Sequence, residues 1–260
     1  MPTPPSNTRE VRETTRITSI ASLLEFAWYT TAVLGGEPAF RGQSKHFWCL
    51  RPRLYRPEFS ENHDFERNLL SEFGEFGPSR VPDPPHSNDQ LSWLILARHH
   101  NLPTRLLDWT WSPLIGLYFA VCNQKHYETD GKLWAIELGG VSHLQPDVSD
   151  RDRERLIANA FSGTNTHVVA PMRGFQRNAR IAAQQGRFTI HGDSTILTDW
   201  PNIDQILTSA IVPSECKFIL FRDLAQLGIK RHTLFPDLDA LAEHLSHNIW
   251  VQRSAGGRTL

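Results

Sequence analysis

The run HHNLPTRLLDWTWSPLIGLYFAV, from His99 to Val121, constrains the fold more than any other stretch, because it joins dense polar chemistry to a nearly all-apolar segment. Ser112 followed by Pro113 marks a helix start: the Ser hydroxyl can cap orphan amides, and Pro at the first position has no amide to lose. Leu114, Ile115, Leu117, Tyr118, Phe119, Ala120 and Val121 leave almost no polar face, so this helix is expected inside the fold. Just before it stand His99, His100, Thr104, Arg105, Asp108, Trp109 and Thr110. Two readings fit them: a structural corner held by an Arg105–Asp108 pair, or a pocket wall delivered by a rigid helix.

The chain has 260 residues, 40% hydrophobic and 21% charged, which describes a globular protein with ample length for a core. A net charge of −1 argues against a broad nucleic-acid-binding surface. Arg51, Arg53 and Arg56, broken up by Pro52 and Pro57, read as a solvated loop. Cys49, Cys122 and Cys216 are isolated, which fits a reducing cytoplasm and offers no zinc framework. No apolar run is long enough to span a membrane, and MPTPPSNTREVRETTR lacks the apolar core of a secretory signal.

Residues 1–17 read as a disordered leader, 18–251 as one domain and 252–260 as a flexible tail. A helix is expected from Ser19 to Ala32, stopped by Gly35 and Gly36, then a strand at Ala39 to Gln43. Helical spacing of Phe65, Leu69, Leu70, Phe73 and Phe76 predicts a helix from about Asn62 to Phe76. Ser87 and Gln90 form a candidate capping box for a helix running to Arg98, whose dipole would favour protonated His99 and His100. Further strands are expected at Lys132 to Leu138, Arg187 to His191 and Ile206 to Val212, with a helix at Asp150 to Phe161. Ser214 is read as capping a helix with Phe218, Phe221, Leu224 and Leu227 inward, closed by Gly228. A last helix starts at Asp237 and Asp239, with Leu238, Leu241, Ala242 and Leu245 as its stripe. The fold class is α+β: a single domain of short, mostly antiparallel strands surrounded by helices.

No Walker motif, zincin motif or nucleophile elbow occurs. Adjacent His99 and His100 would point about 100° apart on a helix and cannot chelate one ion together, so no metal site is expected. One of them is instead given a hydrogen-bonding or phosphate-facing role. Arg41, between Phe40 and Gly42, could grip a phosphate in a bidentate fork, or pair with a buried carboxylate such as Asp108. Gly42 permits close backbone approach.

Four segments, FRGQSKHFWCLRPRLYR, the HH-LPTRLLDWT-SPL-LYFA block, RIAAQQGRF at 180–188 and LFPDLDALAEHL at 234–245, resemble the FRG-domain family and stand in the family's order. This resemblance runs from Phe40 to Leu245. A more remote resemblance is to arginine-class ADP-ribosyltransferases: Arg41 stands in an aromatic-Arg-Gly strand, Thr104, Thr110 or Ser112 approximate the polar strand, and GLYFA at 116–120 its helix. That resemblance implies an ADP-ribosyltransferase-like fold, NAD as cofactor, and cleavage of the nicotinamide–ribose bond, in a bacterial toxin or antiphage effector. It implies a cofactor-binding set of Arg41, Gly42, Gln43, His99, Thr104, Arg105 and Thr110. The family's catalytic Glu has no match here, because Glu215 in PSECKFIL reads as a first-turn dipole partner. Gln184, Asp108 and His100 stand as catalytic candidates, although an amide is a poor substitute for a carboxylate base. Three readings stay open: an NAD-consuming transferase with an unknown acceptor, a nucleotide-sensing module without turnover, and an interaction domain whose motifs build the core.

Overall fold

The computed structural model describes residues 15–59, 64–145, 148–172, 179–242 and 245–246. Its strands are β1 (Ala39–Gln43), β2 (Leu106–Thr110), β3 (Gly131–Ile136), β4 (Val169–Met172), β5 (Gly186–His191) and β6 (Leu207–Val212). They form one antiparallel sheet in the order β4-β5-β2-β1-β3-β6. Around it pack α1 (Ile20–Leu34), α2 (Phe65–Phe76), α3 (Gln90–His99), α4 (Pro113–Val121), α5 (Gly140–Leu144), α6 (Asp150–Ser162), α7 (Ala179–Ala183), α8 (Lys217–Gln226) and α9 (Arg231–Leu234). The architecture is a single-domain α+β fold, as expected.

Strand alternation divides the core between the two faces of the sheet. Phe40, Leu133, Ala135, Ala210 and Val212 face α1, α4 and α8. Ala39, Trp109, Trp134, Ile136 and Leu207 face the opposite way, toward Leu50, Leu197 and Trp200. A third cluster seats α2, α3 and α6 through Leu70, Leu94, Leu156 and Ala160 against Leu106, Ala170 and Ile190.

The central helix forms as its sequence dictates. Ser112 Oγ accepts from Ile115 N at 3.3 Å, Pro113 occupies the first turn, and Leu117, Ala120 and Val121 are fully buried. Helix α1 opens on a Ser19 cap and closes where Gly35 turns left-handed at φ 74°.

Several expectations are corrected. Arg16 bridges to Ile211 and Ile17 is wholly buried, so residues 16 and 17, inside the expected leader, take part in the fold. Positions 1–14, Asn62 and the tail from 252 lie outside the described residues. Asp89, not Ser87, caps α3: its carboxylate accepts from Ser92 N at 3.1 Å and from the Ser92 hydroxyl at 2.6 Å, and an ionised acceptor outcompetes a hydroxyl. Ser214 opens a 3-10 turn ahead of α8, which buries Lys217, Leu220 and Leu224. That phase leaves Phe218 61% and Leu227 55% exposed. In the last segment Asp237 caps Ala240 N at 2.7 Å and Ala240 is buried, whereas Leu238 is 82% exposed.

Residue patterning predicts neither β2 nor β4, although the ADP-ribosyltransferase resemblance implies a polar strand near Thr110. LLDWT reads as the polar approach to a helix, yet it is a sheet-centre strand paired with β5 from Leu106↔Ile190 to Thr110↔Gly186. β4 carries Pro171, which is tolerated because β4 is the sheet edge. No helix among the described residues is long and apolar enough to cross a membrane.

Candidate functional site

The site begins where β1 leaves β2. The two strands pair only at Phe40↔Thr110; continued, the register would set Gly42 opposite Asp108. Gly42 instead presses against α4, where an added Cβ would stand 2.0 Å from Gly116 O. Gly116 is equally constrained, since its Cβ would meet Phe40 Cβ and a Leu133 methyl at 2.9 Å. The close approach that Gly42 permits is therefore to α4. Helix and strand lock together and leave a wedge between β1 and β2.

Arg41 fills part of that wedge. Its Nη1 donates to the Asp108 carbonyl at 2.8 Å and stands 3.6 Å from the Asp108 carboxylate. Arg98, on the last turn of α3, grips the same carboxylate through Nε and Nη2. Burial alone would raise the Asp108 carboxyl, but Arg98 and Arg41 overcome it and hold the group below the usual range. Arg41 itself is lowered to about 10, chiefly by burial, with Asp108 opposing and Arg98 and Arg56 reinforcing the drop. Its Nε is buried without a hydrogen-bond partner.

A cavity of about 430 Å³ opens beside this ion cluster. Arg41, Arg56, Arg98 and Arg180 line it, and Asp108 is the single carboxylate among the lining residues. Phe40, Trp48, Phe119, Phe188 and Phe235 supply aromatic walls. Arg180 Nη1 donates to the His99 carbonyl at 2.8 Å, capping the C-terminal end of α3, while its guanidinium stacks 4.3 Å over Phe235. His99 also lines the cavity, and its Nδ1 is buried without a partner. Burial first, then Arg180 and His100, push its pKa down to about 4. The expected protonation by the α3 dipole is thus overridden.

Of the residues singled out from sequence, Arg41, Gly42, Gln43, His99, Asp108, Thr110 and Gln184 border this cavity. Several have their polar atoms engaged by the fold. Thr110 Oγ1 donates to the Gln184 carbonyl at 2.7 Å and accepts from Ser112 N at 3.1 Å. Gln184 Nε2 donates to the Leu234 carbonyl at 3.1 Å. Gln43 Nε2 donates to the Cys49 carbonyl, and its Oε1 accepts from Trp134 Nε1 at 2.7 Å.

Thr104, Arg105 and His100 are not among the lining residues. Thr104 is fully buried, and its hydroxyl accepts from Leu106 N. Arg105 is 1% exposed and paired with buried Glu66: Nε donates to Oε2 at 2.7 Å, and its backbone N donates to Oε1 at 2.9 Å. The expected Arg105–Asp108 pair does not form, because alternation along β2 separates the two. His100 is exposed at the α3 C-cap, against Phe73.

Sequence reasoning missed Arg98, Arg180 and Phe235, and took Arg56 for a solvated loop residue. Arg56 lies at the cavity with its guanidinium 5.9 Å from the Trp48 ring. The interleaved aromatics around Arg56 were the available signal; nothing in local spacing distinguishes Arg98 or Arg180. Among the described residues no cluster of three His, Cys, Asp or Glu side chains could hold a metal ion.

The chain matches no curated protein and no solved structure. A family model described as the FRG domain matches residues 37–129, a span holding β1, α2, α3, β2 and α4 and ending before Arg180, Gln184 and Phe235. Arg41, Arg98 and Asp108 all fall within it, so the ion cluster at the head of the cavity lies in the stretch that matches the FRG-domain model.

Proposed function

We propose that the cavity between β1, α3 and α7 binds a small anionic, nucleotide-like molecule, with NAD the case implied by the sequence resemblance. The observation carrying this reading is the buried, unpartnered Nε of Arg41 beside Arg56, Arg98 and Arg180. An unmet buried donor costs on the order of 1–3 kcal/mol, and a phosphate oxygen would satisfy it. Arg41 and Arg56 are each lowered by burial and by neighbouring arginines, a repulsion that a bound anion relieves. The aromatic walls suit a base or other planar ring.

Binding without turnover fits the site better than transfer of ADP-ribose. Asp108, the one carboxylate among the described lining residues, is held ionised by Arg98 and Arg41, so it is a weak proton acceptor and is already neutralised. The Gln184 amide is tied to the Leu234 carbonyl and carries no charge. A nucleotide-sensing module is the function this arrangement supports best; a toxin or defence effector acting by NAD cleavage would need an acid or base from elsewhere.

The test is calorimetric titration with NAD and ADP, paired with an assay for released nicotinamide. Saturable binding with no nicotinamide release is the expected result. Release abolished by Asp108→Asn would reverse the choice in favour of the enzyme.

A further inference from the structure

We propose that the cavity selects ligands carrying at least two negative charges and no cationic ring, as in a nucleoside diphosphate, and discriminates against a ligand with a positively charged ring. This rests on the nucleotide-binding reading and sharpens it to a substrate class.

Charge balance is the first observation. Among the described residues four guanidinium groups border the cavity against one carboxylate, which is hydrogen-bonded to Arg98 and stands 3.6 Å from Arg41. Glu58 and Asp237 act on Arg56 and Arg180 electrostatically but are not among the lining residues. Among the described residues no lining carboxylate is left to receive a cation.

The aromatic faces give the second, independent observation. A cationic ring can be welcomed by cation–π contact with an aromatic wall. At two of the walls, Phe235 and Trp48, those contacts are already made by the protein. Arg180 and Arg231 lie 4.3 and 5.4 Å from the Phe235 ring centroid, and Arg56 and Lys45 each lie 5.9 Å from that of Trp48. A positive ring placed against either aromatic would meet like charge, which is strongly disfavoured in a partly buried site. A neutral ring would stack beside the guanidinium planes without that penalty.

The oxidised and reduced forms of NAD separate these effects, because they share a skeleton and differ in the charge of the nicotinamide ring. Calorimetry at low salt should give NADH and ADP-ribose affinities at least about tenfold above that of oxidised NAD. The gap should shrink as salt rises. Arg56→Gln, at a half-buried position, should narrow it further. Equal or tighter binding of oxidised NAD, or a gap unmoved by both salt and Arg56→Gln, overturns the selectivity while leaving nucleotide binding intact. Failure of all three compounds to bind overturns the nucleotide reading and the selectivity with it.

Discussion

Arg41 Nη1 lies 2.8 Å from the carbonyl oxygen of Asp108 and 3.6 Å from its carboxylate, so one guanidinium spans both sheet and ion pair where β1 parts from β2. The sequence left open whether Arg41 grips a phosphate or pairs with Asp108. The pair is present, and it occupies Nη1 while Nε stays unpartnered.

Asp108→Asn separates stability from affinity. It removes the counter-charge shared by Arg41 and Arg98, weakening charge-assisted bonds worth roughly 1.5–3 kcal/mol. It also makes the cavity more positive. Thermal melts should show destabilisation, while pyrophosphate titration shows tighter binding than wild type. Loss of both together would mean that Asp108 serves the site only by holding its shape.

Arg105→Ala should cost about 3–5 kcal/mol, because it strands the Glu66 carboxylate in the core. Burial already raises the Glu66 carboxyl despite the opposing pull of Arg105. Arg105→Met with Glu66→Leu should recover much of the loss, read by urea denaturation. An Arg105→Ala protein of wild-type stability would contradict the buried pair.

Gly42→Ala should be among the most damaging small substitutions, costing at least about 3 kcal/mol, since the methyl would sit within 2.0 Å of a helix carbonyl that cannot yield. Gly35→Ala, where the space is open and only the left-handed backbone objects, should cost about 1 kcal/mol. Comparison of the two denaturation midpoints checks the ranking.

Acid should weaken the fold through buried His191 and half-buried His99. His99 is held at about 4, by burial, Arg180 and His100, and His191 at about 3, chiefly by burial. Both bind a proton in the unfolded chain near pH 6.5 but not in the native one, so the unfolded state gains protons first. Stability therefore falls as pH drops from about 6.5 toward 4, by up to about 1.4 kcal/mol per unit for buried His191 and by less for half-buried His99, which solvent screens. Urea melts at pH 7 and pH 5 measure this; equal midpoints would contradict it.

What was legible in the sequence was what local chemistry controls. Ser112-Pro113 started α4, Ser19 and Gly35 bounded α1, and Ala39–Gln43 was a strand with the expected limits. Long-range pairing was not legible. Whether Arg98 or Arg105 meets Asp108 depends on β2 being a strand, which sends Arg105 to Glu66 on one side and Asp108 toward α3 on the other. Arg180 and Phe235 reach the cavity only through the fold's closure of α7 and α9 upon it.

On the proposed reading, the Arg41 Nε–H receives an anionic ligand. The most direct measurement is the ¹⁵N-resolved side-chain signal of Arg41, assigned by its loss in Arg41→Lys, followed during titration with ADP-ribose. A saturable shift of that signal, with the affinity found by calorimetry, is the expected result. An Arg41 signal that stays fixed while ADP-ribose saturates the protein would contradict it.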